Sequence, residues 1–516
     1  MLIRDRRDLI KVAGALALVS GFAPQRVIAA PTGAYPFALG VAAGDPWPDG
    51  FVIWTRLAPK PLEEHGGMPQ SAVKVGWEVS EDQRFAKIVR RGETLARPEL
   101  AHSVHVELSG LRPHRHYWYR FTLAGGEASP IGMARTAPAA GGLATSIRIG
   151  VGGCQHWEAG FFDAWGHMAR EPDLDLVFHY GDYIYERAGR PLGEGVVRQH
   201  VGDEIYSIDD YRRRHAQYKS DPHLQAAHAA CAFAVSFDDH EVDNNWAGEL
   251  DQDGTPPEFF ALRKLAALQA WYEHMPVRRA QLPGPGGITA YRRLDYGGLL
   301  RMHVLDTRSY RSDQPCNDGK LKPCPIEAHV APTMLGASQE AWLDEGLGNS
   351  AVWNLLAQQV LVTPYQRHNP GESASFTSFD TWDGYRPARA RLVDAIRKRE
   401  LTNVVIASGD FHRNIVSAVP EREEAPDGKA AAVEFLATSI TSNGDGGPLA
   451  QAERELSTNP HMKMINNFRG YHVFDISPKR WETSVKVMDK VQTPGGKIST
   501  MARYAVTPDQ PKVYEA

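Results

Sequence analysis

Beyond residue 145 the chain alternates short apolar runs with helical stretches, which restricts it to an α/β layer built on a buried sheet. The runs are Ile147–Val151, Leu176–Tyr180, Phe233–Phe237, Leu300–Leu305, Trp353–Ala357 and Val404–Ser408. Helices are expected at Phe259–His274, Gln339–Leu347 and Ala388–Lys398. Four of the runs end in residues that carry chemistry: Gly152-Gly153-Cys154-Gln155, Gly181-Asp182-Tyr183-Ile184-Tyr185-Glu186, Asp238 to Asn245, and Gly409-Asp410-Phe411-His412. Ligands of α/β sheets sit at the carboxyl ends of strands, so these four ends are expected to converge. A pair of cations needs several anionic ligands from separate segments, and this set supplies them. Singly, each motif also reads as a tight turn, a small buried thiol or a solvated acidic loop. Together they read as a metal-dependent hydrolase.

The region before residue 140 has another texture. Phe51–Thr55, Val73–Val79, Val104–Leu108 and Tyr117–Phe121 are short β-rich runs separated by turns, as in a fibronectin-like all-β sandwich. It reads as an accessory domain over residues 35–140, with a carbohydrate- or partner-binding module as the functional alternative. The catalytic domain is expected over residues 145–490, with residues 491–516 as a tail or lid. Residues 1–30 read as a twin-arginine signal: Arg6-Arg7-Asp8-Leu9-Ile10-Lys11, then an apolar run too short to span a bilayer, then Ala29-Ala30. Export by the twin-arginine machinery to the periplasm or beyond is therefore expected, with no transmembrane segment in the mature chain. The whole chain has 57 Lys+Arg against 62 Asp+Glu, and without a basic block it carries no nucleic-acid-binding module. Four cysteines in 516 residues exclude a disulfide framework. Cys316 and Cys324 bracket a polar loop and would be able to pair after export, whereas Cys231 reads as buried and inert.

The combined motifs resemble the PhoD-like alkaline phosphatase/phosphodiesterase family, within the metallophosphoesterase superfamily that includes the purple acid phosphatases. The resemblance is carried by Gly152–Gln155, His179–Glu186, Asp238–Trp246, Leu305–Arg308, Ser408–His412, Glu434–Ser442 and Asn459–Tyr471, and by Gly40–Arg56 near the N-terminus. It implies an α/β, calcineurin-like metallophosphatase β-sandwich flanked by helices, preceded by the all-β domain. It also implies hydrolysis of phosphate mono- and diesters by a metal-bridging hydroxide or oxide. Phospholipase D-like cleavage of phospholipids is the alternative activity, and a degenerate surface-binding protein the alternative class.

The resemblance implies one ferric ion (Fe3+) and calcium (Ca2+), and the donor types agree. A Tyr185 phenolate and a Cys154 thiolate suit trivalent iron, with Asp182 bridging to a second metal. Asp239 and Asp410 stand where purple acid phosphatases carry Asn and His, and hard carboxylate oxygens suit calcium. His412 would remain near the iron, and Asn245 is a further oxygen ligand or phosphate donor. His240 would protonate the leaving alkoxide or bond a phosphoryl oxygen, with orientation of a carboxylate as its structural alternative. Arg308 would contact phosphate or pair with Asp306.

Overall fold

The computed structural model describes residues 27–28, 34–142, 144–284, 286–316, 333–368 and 375–516. The twin-arginine segment therefore lies outside the described residues except for Val27–Ile28, and so do Cys324 and its expected pairing with Cys316.

Two large sheets stack face to face. The first has ten strands, ordered Gln510–Glu515, Ile498–Thr507, Trp481–Met488, Gly470–Ile476, Ile147–Gly152, Leu176–His179, Ala232–Val235, Val41–Trp47, Gly50–Arg56 and Ser103–Glu107. The second has seven, ordered Arg292–Tyr296, Leu300–Val304, Trp353–Ala357, Val404–Ser408, Ala430–Leu436, Asn414–Pro420 and Met462–Asn466. Their central strands are parallel and buried on both faces, which is why they read as continuous apolar runs rather than alternating ones. Ile149 and Phe178 of the first sheet and Met302, Leu355, Val405 and Phe435 of the second belong to one apolar core. A second core packs the outer face of the first sheet under the helices Asp163–Met168, Ile208–Lys219 and Pro257–His274, through Trp165, Tyr211, Phe233 and Trp271. A third packs the helices Gly336–Gly346 and Arg386–Lys398 on the second sheet through Leu343, Leu356, Ile396 and Ile406. The molecule is thus the expected α/β sandwich of sheets flanked by helices, with an N-terminal all-β region.

Two boundaries differ from the expectation. Only Val27–Ile28, Ala72–Ser80, Ile88–Ala96, His116–Thr122 and Gly132–Arg135 form a separate N-terminal sheet. The strands Val41–Trp47, Gly50–Arg56 and Ser103–Glu107 instead extend the ten-stranded sheet, with Ala232 paired to Ala43 and Phe233 to Gly44. A strand edge at Ala232–Val235 would expose unpaired backbone groups, and the N-terminal strands satisfy them. The other boundary is at residues 491–516. Instead of a tail or lid, this segment contributes Ile498–Thr507 and Gln510–Glu515 to the same sheet. Over its first six residues the former strand shows the period-two exposure of a sheet with one face to solvent, and the nearby glycines and prolines mark turns.

Candidate metal centre

The three parallel strands ending at Gly152, His179 and Val235 are neighbours, so the loops that follow them emerge side by side. The strand Val404–Ser408 brings the fourth loop from the opposite sheet. Close approach is possible because two positions lack a side chain. A Cβ on Gly409 would be driven into the Tyr180 ring, and Gly181, at φ +131°, lies against the Asp238 backbone and Cβ. Gly181 also needs a backbone conformation that residues with a side chain rarely adopt.

Cys154, Asp182, Asn245, Asp410 and His412 all occupy the left-handed region, at φ 50°, 53°, 54°, 64° and 55°. Each such residue costs of order 1 kcal/mol or more, so the surrounding bonds must impose it. The Cys154 N–H donates to the Gly181 carbonyl at 3.0 Å, and the Gln155 N–H to that of Asp182 at 3.1 Å. The buried Glu241 carboxylate accepts N–H bonds from Asp182 at 3.0 Å, Tyr183 at 2.6 Å and Asp238 at 2.8 Å. One side chain therefore ties the second loop to the third. Arg469 braces the fourth, donating to the His412 carbonyl at 2.7 Å.

These loops bring donor atoms together in three overlapping groups, each with its atoms within 4.8 Å of one another: Cys154, Asp182 and His412; Asp182, Asp239 and His240; and Asp182, Asp238, Asp239 and Asp410. Asp182 belongs to all three. The Tyr185 hydroxyl joins the first group, donating to Asp182 Oδ2 at 2.8 Å, with Ser442 Oγ at 2.6 Å and His412 Nε2 at 3.3 Å. Asn245 participates through its main chain: its N–H donates to Asp239 Oδ2 at 2.7 Å and its carbonyl accepts from Gln314 at 2.7 Å.

The donor set fits cations. Asp238 Oδ2 and Asp239 Oδ1 are buried without hydrogen-bond partners, although each oxygen is a strong acceptor. Burial, with Asp239 and Asp238 alongside, pushes the Asp182 carboxyl well above the carboxylate range even against the charge of His240. Burial, Asp238 and Asp380 do the same to Asp410. Burial and the neighbouring carboxylates likewise raise the Cys154 thiol, and burial and Asp182 raise the Tyr185 phenol. Without further positive charge these groups would hold protons, and multivalent cations reverse that preference.

His240 has its own partner: Nδ1 lies 2.7 Å from Glu186 Oε2. Burial opposes a charged imidazole, but Glu186, Asp239 and Asp182 together raise its pKa well above the ordinary value. Burial likewise opposes ionisation of Glu186, yet the His240 charge and hydrogen bond bring its pKa down to about 2.

Arg308, expected at a phosphate or on Asp306, is fully buried at 0% exposure and faces elsewhere. Its Nε donates to Asp238, and its two terminal nitrogens donate to Asp380 at 2.8 and 2.9 Å. It also lies 3.4 Å from Asp239 and 3.6 Å from Asp410. Its donors are spent beneath the cluster, so it is a counter-charge and not a substrate contact. The Asp306 carboxylate instead accepts main-chain N–H bonds from Arg308 at 3.0 Å and Ser309 at 2.8 Å, not the Arg308 guanidinium. Sequence reasoning passed over Asp238, Glu186, Glu241 and Asp380. The first three lie inside motifs already singled out, whereas nothing in the sequence around Asp380 marks it.

The PhoD-like phosphatase family model matches residues 149–485, and the model of the PhoD-like phosphatase N-terminal domain matches residues 21–138. Alkaline phosphatase D of Bacillus subtilis (strain 168) is 45% identical over 519 aligned residues, covering 98% of this chain and 88% of that protein. A solved structure of PhoD superposes with a TM-score of 0.90 at 44% identity, covering 94% of this chain and 93% of that one. GAP50, the anchor in the inner membrane complex of Plasmodium, aligns with a TM-score of only 0.36 at 9% identity, over 72% of this chain and 91% of that one.

Proposed function

Because the chain belongs to the PhoD-like phosphatase family, we propose that it is an exported, metal-dependent alkaline phosphatase and phosphodiesterase that releases phosphate from mono- and diesters. The observation that carries the metal dependence is the convergence of Cys154, Asp182, Asp238, Asp239, Asp410 and His412, with two orphaned carboxylate oxygens among them. In this reading Cys154, Asp182, Tyr185 and His412 hold a ferric ion, and Asp182, Asp239 and Asp410 hold calcium, with Asn245 as a further oxygen donor. Bound there, the cations would supply Lewis-acid charge for the phosphoryl oxygens and acidify a water.

The protein's own groups do the rest. His240, with Nδ1 bound to Glu186, keeps Nε2 for the leaving oxygen and delivers a proton to it. Glu186 fixes the ring orientation and favours the protonated form. Arg308 offsets part of the carboxylates' charge from below, and bound cations would supply the rest that keeps them ionised. The left-handed residues hold the donors in place before substrate arrives, which avoids reorganisation during the reaction.

Export is supported by the Arg6-Arg7 pair and the apolar run that follows. No helix among the described residues is long and apolar enough to cross a membrane. The reading is tested by assaying p-nitrophenyl phosphate and bis-p-nitrophenyl phosphate with and without a calcium chelator. Loss of both activities on chelation, restored by added calcium, is the expected outcome; chelator-resistant turnover contradicts it.

A further inference from the structure

Phe411 stands between Asp410 and His412, so its Cα is about 3.8 Å from that of each neighbour. Asp410 and His412 belong to the clustered donors, whereas Phe411 packs, partly buried, beside Tyr365 with ring centroids 5.6 Å apart. The guanidinium of Arg367 sits over two rings, 4.6 Å from the Phe411 ring centroid and 5.0 Å from that of Phe376. Phe376 pairs with Arg367 across a two-stranded ribbon and is itself 39% exposed. A second cation, Arg413, lies 5.6 Å from the Phe411 ring, but it is taken by Glu455 at 3.1 Å. Among the described residues Arg367 has no such partner. Its Nε is buried without a hydrogen bond, and no ion pair engages it among the described residues.

A guanidinium held between two phenyl rings is pre-oriented, and its unpaired donors suit a carboxylate or phosphate. Arg413 is offset by Glu455, so among the described residues Arg367 is the guanidinium here without a paired carboxylate, next to the partly exposed Phe376. We propose that Arg367, Phe376 and Phe411 form a subsite for the leaving-group half of the substrate, selecting an aromatic or otherwise planar group that carries a further negative charge. The proposal rests on the phosphatase reading for the position of the ester, but not for the charge preference of the subsite.

The test measures binding, by calorimetry on the metal-replete protein, of two non-hydrolysable probes: phenylphosphonate and 4-carboxyphenylphosphonate. The wild type should bind the carboxylated probe about tenfold more tightly, the order expected for one charge-assisted pair. Arg367→Ala and Arg367→Gln should bring the two affinities within about twofold, and Arg367→Lys should keep part of the preference. Arg422→Ala removes the same charge from an exposed turn and should leave the ratio unchanged. Melting temperatures identify a variant that fails to fold, in which case the remaining Arg367 substitutions decide. Equal binding of both probes by the wild type, or a ratio that survives loss of Arg367, overturns the subsite. Failure of the wild type to hydrolyse p-nitrophenyl phosphate would instead overturn the phosphatase reading, while the probe ratio would still report on Arg367.

Discussion

Glu186 Oε2 lies 2.7 Å from His240 Nδ1, and the carboxylate is 2% exposed. The pair fixes which ring nitrogen faces the carboxylate and leaves the other free of it. Glu186→Gln keeps the shape but removes the charge, so turnover should fall by about 10- to 100-fold, the range seen when a partner that orients a site residue is lost. Steady-state kinetics should show the loss mainly in kcat.

The same pair contributes to acid stability. The Glu186 pKa is depressed from 4.5 to about 2, so its stabilisation is complete above the unfolded value and is lost as pH falls from about 4.5 toward about 2. Glu186→Gln lacks this contribution, and its unfolding free energy should depend less steeply on pH in that window. Denaturant titrations at stepped pH measure the slope.

Arg308 is itself fully buried, bonded to the buried Asp238 and Asp380, and it faces the buried Asp239 and the partly exposed Asp410. Arg308→Met leaves buried carboxylates uncompensated and should cost about 4 kcal/mol, the scale for breaking a buried ion pair. Lysine should not restore it, because a single ammonium cannot bond both Asp238 and Asp380 as the guanidinium does. Thermal melts should show a smaller loss with metals present than after chelation, since cations share the same carboxylates.

Gly409 faces the Tyr180 ring, whose hydroxyl is anchored on the Thr438 carbonyl at 2.5 Å. Gly409→Ala therefore forces apart the loop that carries Asp410 and the one that carries Asp182. A destabilisation of about 2 kcal/mol is expected from overpacking. Activity should fall further than stability alone accounts for. Combining it with Tyr180→Leu should recover stability in thermal melts.

The centre was more legible than the frame around it. Cys154, Asp182, Asp239, Asp410 and His412 each follow a short apolar run, so strand ends alone suggest their convergence. The pairing of Ala232 with Ala43 spans most of the N-terminal half of the chain and depends on backbone complementarity, which leaves no mark in local composition. Arg308 illustrates the same limit. Its partner Asp380 lies in an unremarkable stretch, and which carboxylate an arginine meets is decided by tertiary packing.

Asp182 is the residue common to all three donor groups, so its substitution is the most direct test of the proposed metal centre. Elemental analysis and visible absorption of the folded wild type and of Asp182→Asn measure it together. The wild type should contain iron and calcium and show a phenolate-to-iron band that Tyr185→Phe abolishes, and Asp182→Asn should lose metal and phosphatase activity together. An active wild type that is colourless and iron-free would contradict the ferric assignment, and an Asp182→Asn variant with full metal content and full activity would contradict the shared-ligand centre itself.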